Sequence, residues 1–112
     1  MTKFITDDMM EGALNHLATS SATLSEARAM RVRAEHQRKR IRANLILQSD
    51  EKSATLREAW AEAHQLYANA VDVEVDAIRQ DEYERAERNR CDAVIEAWRS
   101  EQANQRAGNS FR

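Results

Sequence analysis

An all-α fold, an antiparallel hairpin of long, coiled-coil-like helices preceded by a short N-terminal helix, is what this sequence predicts, and three observations carry it. From Ala13 to Ala107 the chain runs 95 residues with neither glycine nor proline, so both common helix-breakers are missing from nearly its whole length. Apolar residues recur at intervals of three and four, the period of an amphipathic helix. Two short clusters rich in Ser, Thr and Asp, at 19–23 and 48–53, supply side-chain oxygens that compete with helical backbone bonding and so mark breaks.

The first helix is predicted over about residues 7–18. Thr6, Asp7 and Asp8 offer N-cap oxygens ahead of Met9, Met10, Ala13, Leu14 and Leu17. After the cluster Thr19-Ser20-Ser21-Ala22-Thr23, Thr23 and Glu26 are spaced as a capping box, and a second helix follows over about 21–48 with Leu24, Ala27, Met30, Ala34, Ile41 and Leu45 near one face. The loop Gln48-Ser49-Asp50-Glu51-Lys52-Ser53 is short and polar, and Thr55 with Glu58 has capping-box spacing again. Helices joined by so short a connection fold back antiparallel. The third helix, about 53–107, carries Leu56, Trp60, Ala63, Tyr67, Ala70, Ala77 and Ile78, then Cys91, Val94, Ile95 and Trp98, with Gly108 as its stop. Between these runs lies the charged stretch 79–90, read as a continuous solvated helix laced with ion pairs, although Asp81 with Glu84 has the spacing to cap a fresh helix there.

Composition bounds the architecture. At 112 residues the chain has room for a single helical unit, 1–112, and with 32% charged residues, 5% aromatic residues and a mean hydropathy of -0.78 it can bury a thin apolar seam but no thick core. The lone Cys91 excludes an intramolecular disulfide and a multi-cysteine metal site, and fits a reducing cytoplasm. No apolar run reaches the roughly 20 residues of a membrane span, and Met1 to Asp8 lack the apolar stretch of a secretory signal. No membrane partner is expected.

Length sets up the candidate interface. At 1.5 Å per residue the second helix spans roughly 40 Å and an unbroken third helix roughly 80 Å, so the second cannot cover the third. The patch Cys91, Val94, Ile95 and Trp98 is then under-protected, and a tryptophan-bearing patch marks an interface. Self-association through that patch is the expectation, with a monomer whose third helix bends back as the competing reading, and with Trp60 and Tyr67 holding the hairpin. The frayed tail is placed at Ala107 to Arg112.

The strongest local charge signal is basic. Residues 28–42 hold Arg28, Arg31, Arg33, Arg38, Lys39, Arg40 and Arg42 against the single acid Glu35, a net +6 in a chain of net -2. On a helix, Arg31, Arg38 and Arg42 fall on one side and Arg33 and Arg40 on another. Clustered cations of this kind attract phosphate backbone, which makes Arg31, Arg33, Arg38, Lys39, Arg40 and Arg42 the candidate nucleic-acid surface. The competing reading is neutralisation at home, by Glu58, Glu62 and Asp72 in the segment 58–72 facing it across the turn. No interleaved aromatics offer base stacking.

Catalytic and metal chemistry find little to stand on. His16, His36 and His64 are far apart, no H-E-x-x-H pattern occurs, and the carboxylates between Asp72 and Glu87 are interspersed with Arg79 and Arg85. Arg88 and Arg90 flank Cys91, but no general base has a recognisable spacing to it. No cofactor, metal or catalytic residue is expected, and the chain reads as a non-enzymatic protein.

The string Ile95-Glu96-Ala97-Trp98-Arg99-Ser100-Glu101-Gln102-Ala103-Asn104-Gln105-Arg106, together with Ser53 to Tyr67, resembles a family of small helical proteins encoded by tailed bacteriophages and prophages, over most of residues 10–107. Genes of that family often lie near homologous-recombination functions such as single-strand annealing proteins. The resemblance implies an oligomeric accessory or adaptor protein in the host cytoplasm with a phage recombination protein as partner. It brings no catalytic residues.

Overall fold

The computed structural model describes residues 4–110. The readings of Met1 to Lys3, and of Phe111 and Arg112 as part of a frayed tail, lie outside the described residues. The protein is all-α: α1 spans Asp7–Thr19, α2 Ser21–Gln48, α3 Ala54–Glu62 and α4 Gln65–Ser110. The fold is that of a coiled-coil-like helical hairpin, in which α2 pairs with α4, and α1 is the short N-terminal helix. No helix among the described residues is long and apolar enough to cross a membrane.

Local chemistry explains most boundaries. Thr6 is the N-cap of α1, its hydroxyl accepting from the Met9 N–H at 3.1 Å. The break before α2 takes one residue, Ser20, whose N–H donates to the His16 carbonyl at 2.9 Å while its own carbonyl accepts from Leu24 at 2.9 Å. Thr23 and Glu26 therefore do not cap: α2 has already begun at Ser21. The same correction applies at the hairpin turn, where Ser53 rather than Thr55 is the cap and accepts from the Leu56 N–H at 3.1 Å.

The third predicted helix is two helices. It breaks at Ala63 and His64, with the Ala63 N–H donating to the Ala59 carbonyl at 3.0 Å and the His64 N–H to the Ala61 carbonyl at 3.1 Å. His64 then starts α4: its carbonyl accepts from Tyr67 and Ala68 at 3.1 and 3.2 Å, and its ring Nδ1 accepts from the Leu66 N–H at 3.1 Å. An imidazole thus does the work usually given to Ser or Asp, satisfying a first-turn donor that has no helical partner. The stretch 79–90, by contrast, is continuous helix inside α4. It is not wholly solvated, since Asp81 and Glu84 are both buried. Gly108 does not stop the chain either: α4 continues to Ser110, and no glycine has a positive φ.

The chain packs as two compact units rather than the single one the length suggests: residues 4–24 with 83–110 form one, and Ser25–Glu82 the other. In the first, α1 runs antiparallel along the C-terminal part of α4, burying Ala13, Cys91 and Ile95 with Leu17 and Val94 packed against them. Its ends are pinned by polar contacts. Glu101 accepts from the Phe4 and Ile5 N–H groups at 3.0 and 3.2 Å. At the other end Arg88 donates to the Leu17 carbonyl and the Ser20 hydroxyl at 3.3 and 2.9 Å, a cation placed at the negative C-terminus of α1. In the second unit α2 faces α3 and α4 across a seam whose buried apolar residues are Ala27, Ala34, Leu45, Ala61 and Ala70. Four of these are alanine, so the helices approach closely but bury little apolar surface.

Candidate interaction surfaces

The basic segment of α2 meets acids of its own unit. Arg31 donates to Asp81 at 3.0 Å and to Glu82 at 2.9 Å, and these two bonds raise its pKa further above the guanidinium range. Arg38 pairs with Glu74, which raises the Arg38 pKa in the same way, the Tyr67 hydroxyl adding to the effect. Arg42 reaches Glu62 at 3.1 Å and Glu58 at 4.0 Å. The three arginines that the helical period puts on one side are thus neutralised within the chain. Glu58 and Glu62 take part as the sequence suggests, but Asp72 does not. The short α3 and the two breaks consume chain, so Arg38 comes level with Glu74, and the facing residue numbers along α2 and α4 sum to 112.

The remaining cations are less engaged. Arg33 lies 3.5 Å from Glu26, and Lys39 pairs with Glu35 one turn away at 3.0 Å, which lowers the Glu35 pKa below the ordinary carboxylate value. Among the described residues Arg28 and Arg40 make no hydrogen bond or ion pair. Of the six candidate nucleic-acid residues, then, three are spent on acids across the hairpin, and the exposed Arg33, Lys39 and Arg40 remain, the first two beside acids of their own helix.

The candidate interface patch is an intramolecular core. Cys91 is fully buried and Ile95 is 8% exposed, both against Ala13 of α1, while Val94 and Trp98 are half-buried. The Trp98 indole N–H donates to Asp7 at 3.2 Å. This corrects the expectation that the patch stands open: α1 docks on it directly. Trp60 is partly exposed, its ring centroid 5.4 Å from that of His64 at the α3–α4 break, and Tyr67 is half-buried on the seam.

Beside α1 an open cleft of about 440 Å³ is lined by Met9, His16, Arg90 and Val94 among others. His16 Nε2 is buried there with no hydrogen-bond partner among the described residues. No nucleophile and base are paired in the cleft, and among the described residues no group of three or more His, Cys, Asp or Glu is placed to hold a metal ion.

A surface that sequence reading missed emerges from the seam itself. In the second unit the seam runs through Ala27, Arg31, Ala34, Arg38, Ile41 and Leu45 on α2, and Tyr67, Ala70, Glu74, Ala77 and Asp81 on α4, with Glu35, Arg42, Ile46, Val71 and Ile78 half-buried one residue after it. Both sets alternate steps of three and four, a heptad pattern with charged residues in core positions. Turning one helix over to make an antiparallel pair brings like flanks to the same side. On one flank the residues just before the seam are Met30, Gln37 and Asn44 from α2 and Leu66, Val73 and Gln80 from α4, all exposed and none charged. The ion pairs that cross between helices lie on the seam or the opposite flank. The signal was present as a charge-free column at seven-residue intervals, but it has meaning only once the seam is known.

Known proteins give no guide to these surfaces: no family model, no curated protein and no solved structure matches the chain.

Proposed function

We propose that this chain is a non-enzymatic helical adaptor that acts through protein contacts, self-association included, as an accessory to phage DNA recombination or replication in the host cytoplasm. The observation that carries the adaptor reading is the division of the second unit. Its core arginines are cancelled by its own acids, while Met30, Leu66 and Val73 stand 47%, 54% and 57% exposed on an edge whose own residues are uncharged, with the Arg33 guanidinium reaching Met30 Sδ at 3.6 Å. Apolar side chains grouped this way along a helical pair serve contact with another protein surface. The phage setting and a recombination protein as partner rest on the resemblance of residues 95–106 and 53–67 alone.

A second reading has one observation in its favour. Arg28 and Arg40 have no ion-pair partner among the described residues, so with Arg33 and Lys39 they leave a basic strip for weakly sequence-selective contact with nucleic acid. Fluorescence anisotropy of a labelled single-stranded oligonucleotide at low salt separates the two. No binding at high protein excess is the result expected of the adaptor. Salt-sensitive binding that Arg33→Glu and Arg40→Glu abolish would overturn it in favour of the basic strip.

A further inference from the structure

We infer that the occupant of the uncharged edge is a second copy of this chain, which completes an antiparallel four-helix bundle from two of the Ser25–Glu82 hairpins. This rests on the adaptor reading and names the partner of its surface. The first argument is what the edge lacks. In a two-stranded coiled coil that stands alone, the flanks carry charges that bridge the strands and stay in water. Here one flank carries Arg28, Glu35 and Arg42 on α2, with Arg42 paired to Glu62 of α3, and its α4 residues Val71 and Ile78 are half-buried; the other flank presents Met30, Gln37, Asn44, Leu66, Val73 and Gln80, all exposed. That composition suits burial against further helices.

The second argument is charge complementarity with itself. The α2 segment 28–42 is net +6, whereas the part of α4 from 65 to 82 has five acids against Arg79. A two-fold axis parallel to the helices, set in front of the uncharged edge, lays α2 of one copy over α4 of the other. Arg31, Arg38 and Arg42 already meet acids of their own chain, so what α2 offers the acidic helix of a second copy is Arg40. The same axis leaves axial positions unchanged, so the register that sums to 112 within the hairpin also holds between copies. It brings Arg40 of one copy level with Asp72 of the other. Both are exposed, and within the chain neither makes an ion pair among the described residues.

The third argument is the thin seam. With Ala27, Ala34, Ala61 and Ala70 as most of its buried apolar residues, the hairpin gains less from burial than a hairpin lined by larger side chains, and a second copy supplies what is missing.

The test joins mass with a local probe. Sedimentation equilibrium of the full chain should show a concentration-dependent dimer. Leu66→Lys with Val73→Lys should shift it to monomer with unchanged helicity by circular dichroism, because both side chains are exposed in the single chain. Arg40→Asp and Asp72→Arg should each weaken the dimer by about fivefold, the worth of an exposed pair, and the two combined should restore it. A monomer at all concentrations, or a dimer indifferent to the lysine pair, overturns the inference. A photo-crosslinking residue placed at Val73 in cells separates this from the parent reading. An adduct of twice the chain mass supports the second copy. An adduct with a different protein overturns the second copy while leaving the adaptor standing, and an adduct with nucleic acid overturns both.

Discussion

Leu45 and Leu47 are two residues apart in one helix, and replacing each with alanine should have very different consequences. Leu45 is 2% exposed on the α2 seam and Leu47 is 79% exposed. The Leu→Ala change removes three carbons, worth about 2.4 kcal/mol of transfer free energy at about 0.8 per buried methylene. A residual cavity adds to this, but Leu45 lies within one turn of the end of α2 at Gln48, where the chain can close in. The sum is about 3 kcal/mol, toward the low end of buried Leu→Ala costs. For a unit of this size each kcal/mol moves the midpoint by about 4–8 °C, so Leu45→Ala should lower it by about 15 °C. Leu47→Ala should stay within about 0.5 kcal/mol. The gain in helix propensity is common to both variants and cancels in the comparison. Thermal melts followed by far-ultraviolet circular dichroism, at concentrations where the chain is monomeric, read the difference. Equal shifts for the two variants, or the larger one at Leu47, would refute the assignment of the seam.

Three further outcomes are expected. The Cys91 thiol, fully buried against α1, should resist a disulfide-exchange reagent in the folded chain and react at once in guanidinium. Fast reaction in buffer would mean that α1 does not cover it. Ser53→Ala should cost about 1 kcal/mol through loss of the α3 N-cap bond to the Leu56 N–H, whereas Thr55→Ala should cost far less in the same chemical melts, the reverse of what a capping box at Thr55 would give. Glu35, held below the ordinary carboxylate value first by its hydrogen bond from Lys39, should titrate below 4.5 by nuclear magnetic resonance and return toward that value in Lys39→Met. Because its folded pKa is the depressed one, its contribution to stability is present above the unfolded value and is lost as pH falls through the folded one. An unchanged Glu35 titration in the variant would show the pair to be absent in solution.

The segments and their helical character were legible in the sequence because they depend on local energetics. A long stretch without glycine or proline, polar interruptions near 20 and 50, and period-matched apolar residues are enough to place α2 at Ser21–Gln48 and to turn the chain back. The grouping of Arg31, Arg38 and Arg42 on one side was likewise a matter of helical period. The break at Ala63 and His64 left no such trace, because its cap is an imidazole rather than a residue that usually starts helices, and the neighbouring Ala61, Glu62, Gln65 and Leu66 all favour continuation.

What the tertiary structure alone decided was partnership. Whether Cys91 and Ile95 form an outer interface or an inner core depends on where α1 docks, and that is set by Glu101, Arg88 and Trp98, far from α1 in sequence. Which acid neutralises Arg38 depends on how much chain the turn and the α3 break consume, a length that moves the match from Asp72 to Glu74. The uncharged edge exists only after the register assigns each column of residues to a side. Local periodicity determined that this chain would be helices with one apolar stripe each; the offsets between stripes, and so the surfaces left for a partner, come from packing over long sequence separations that no local pattern encodes.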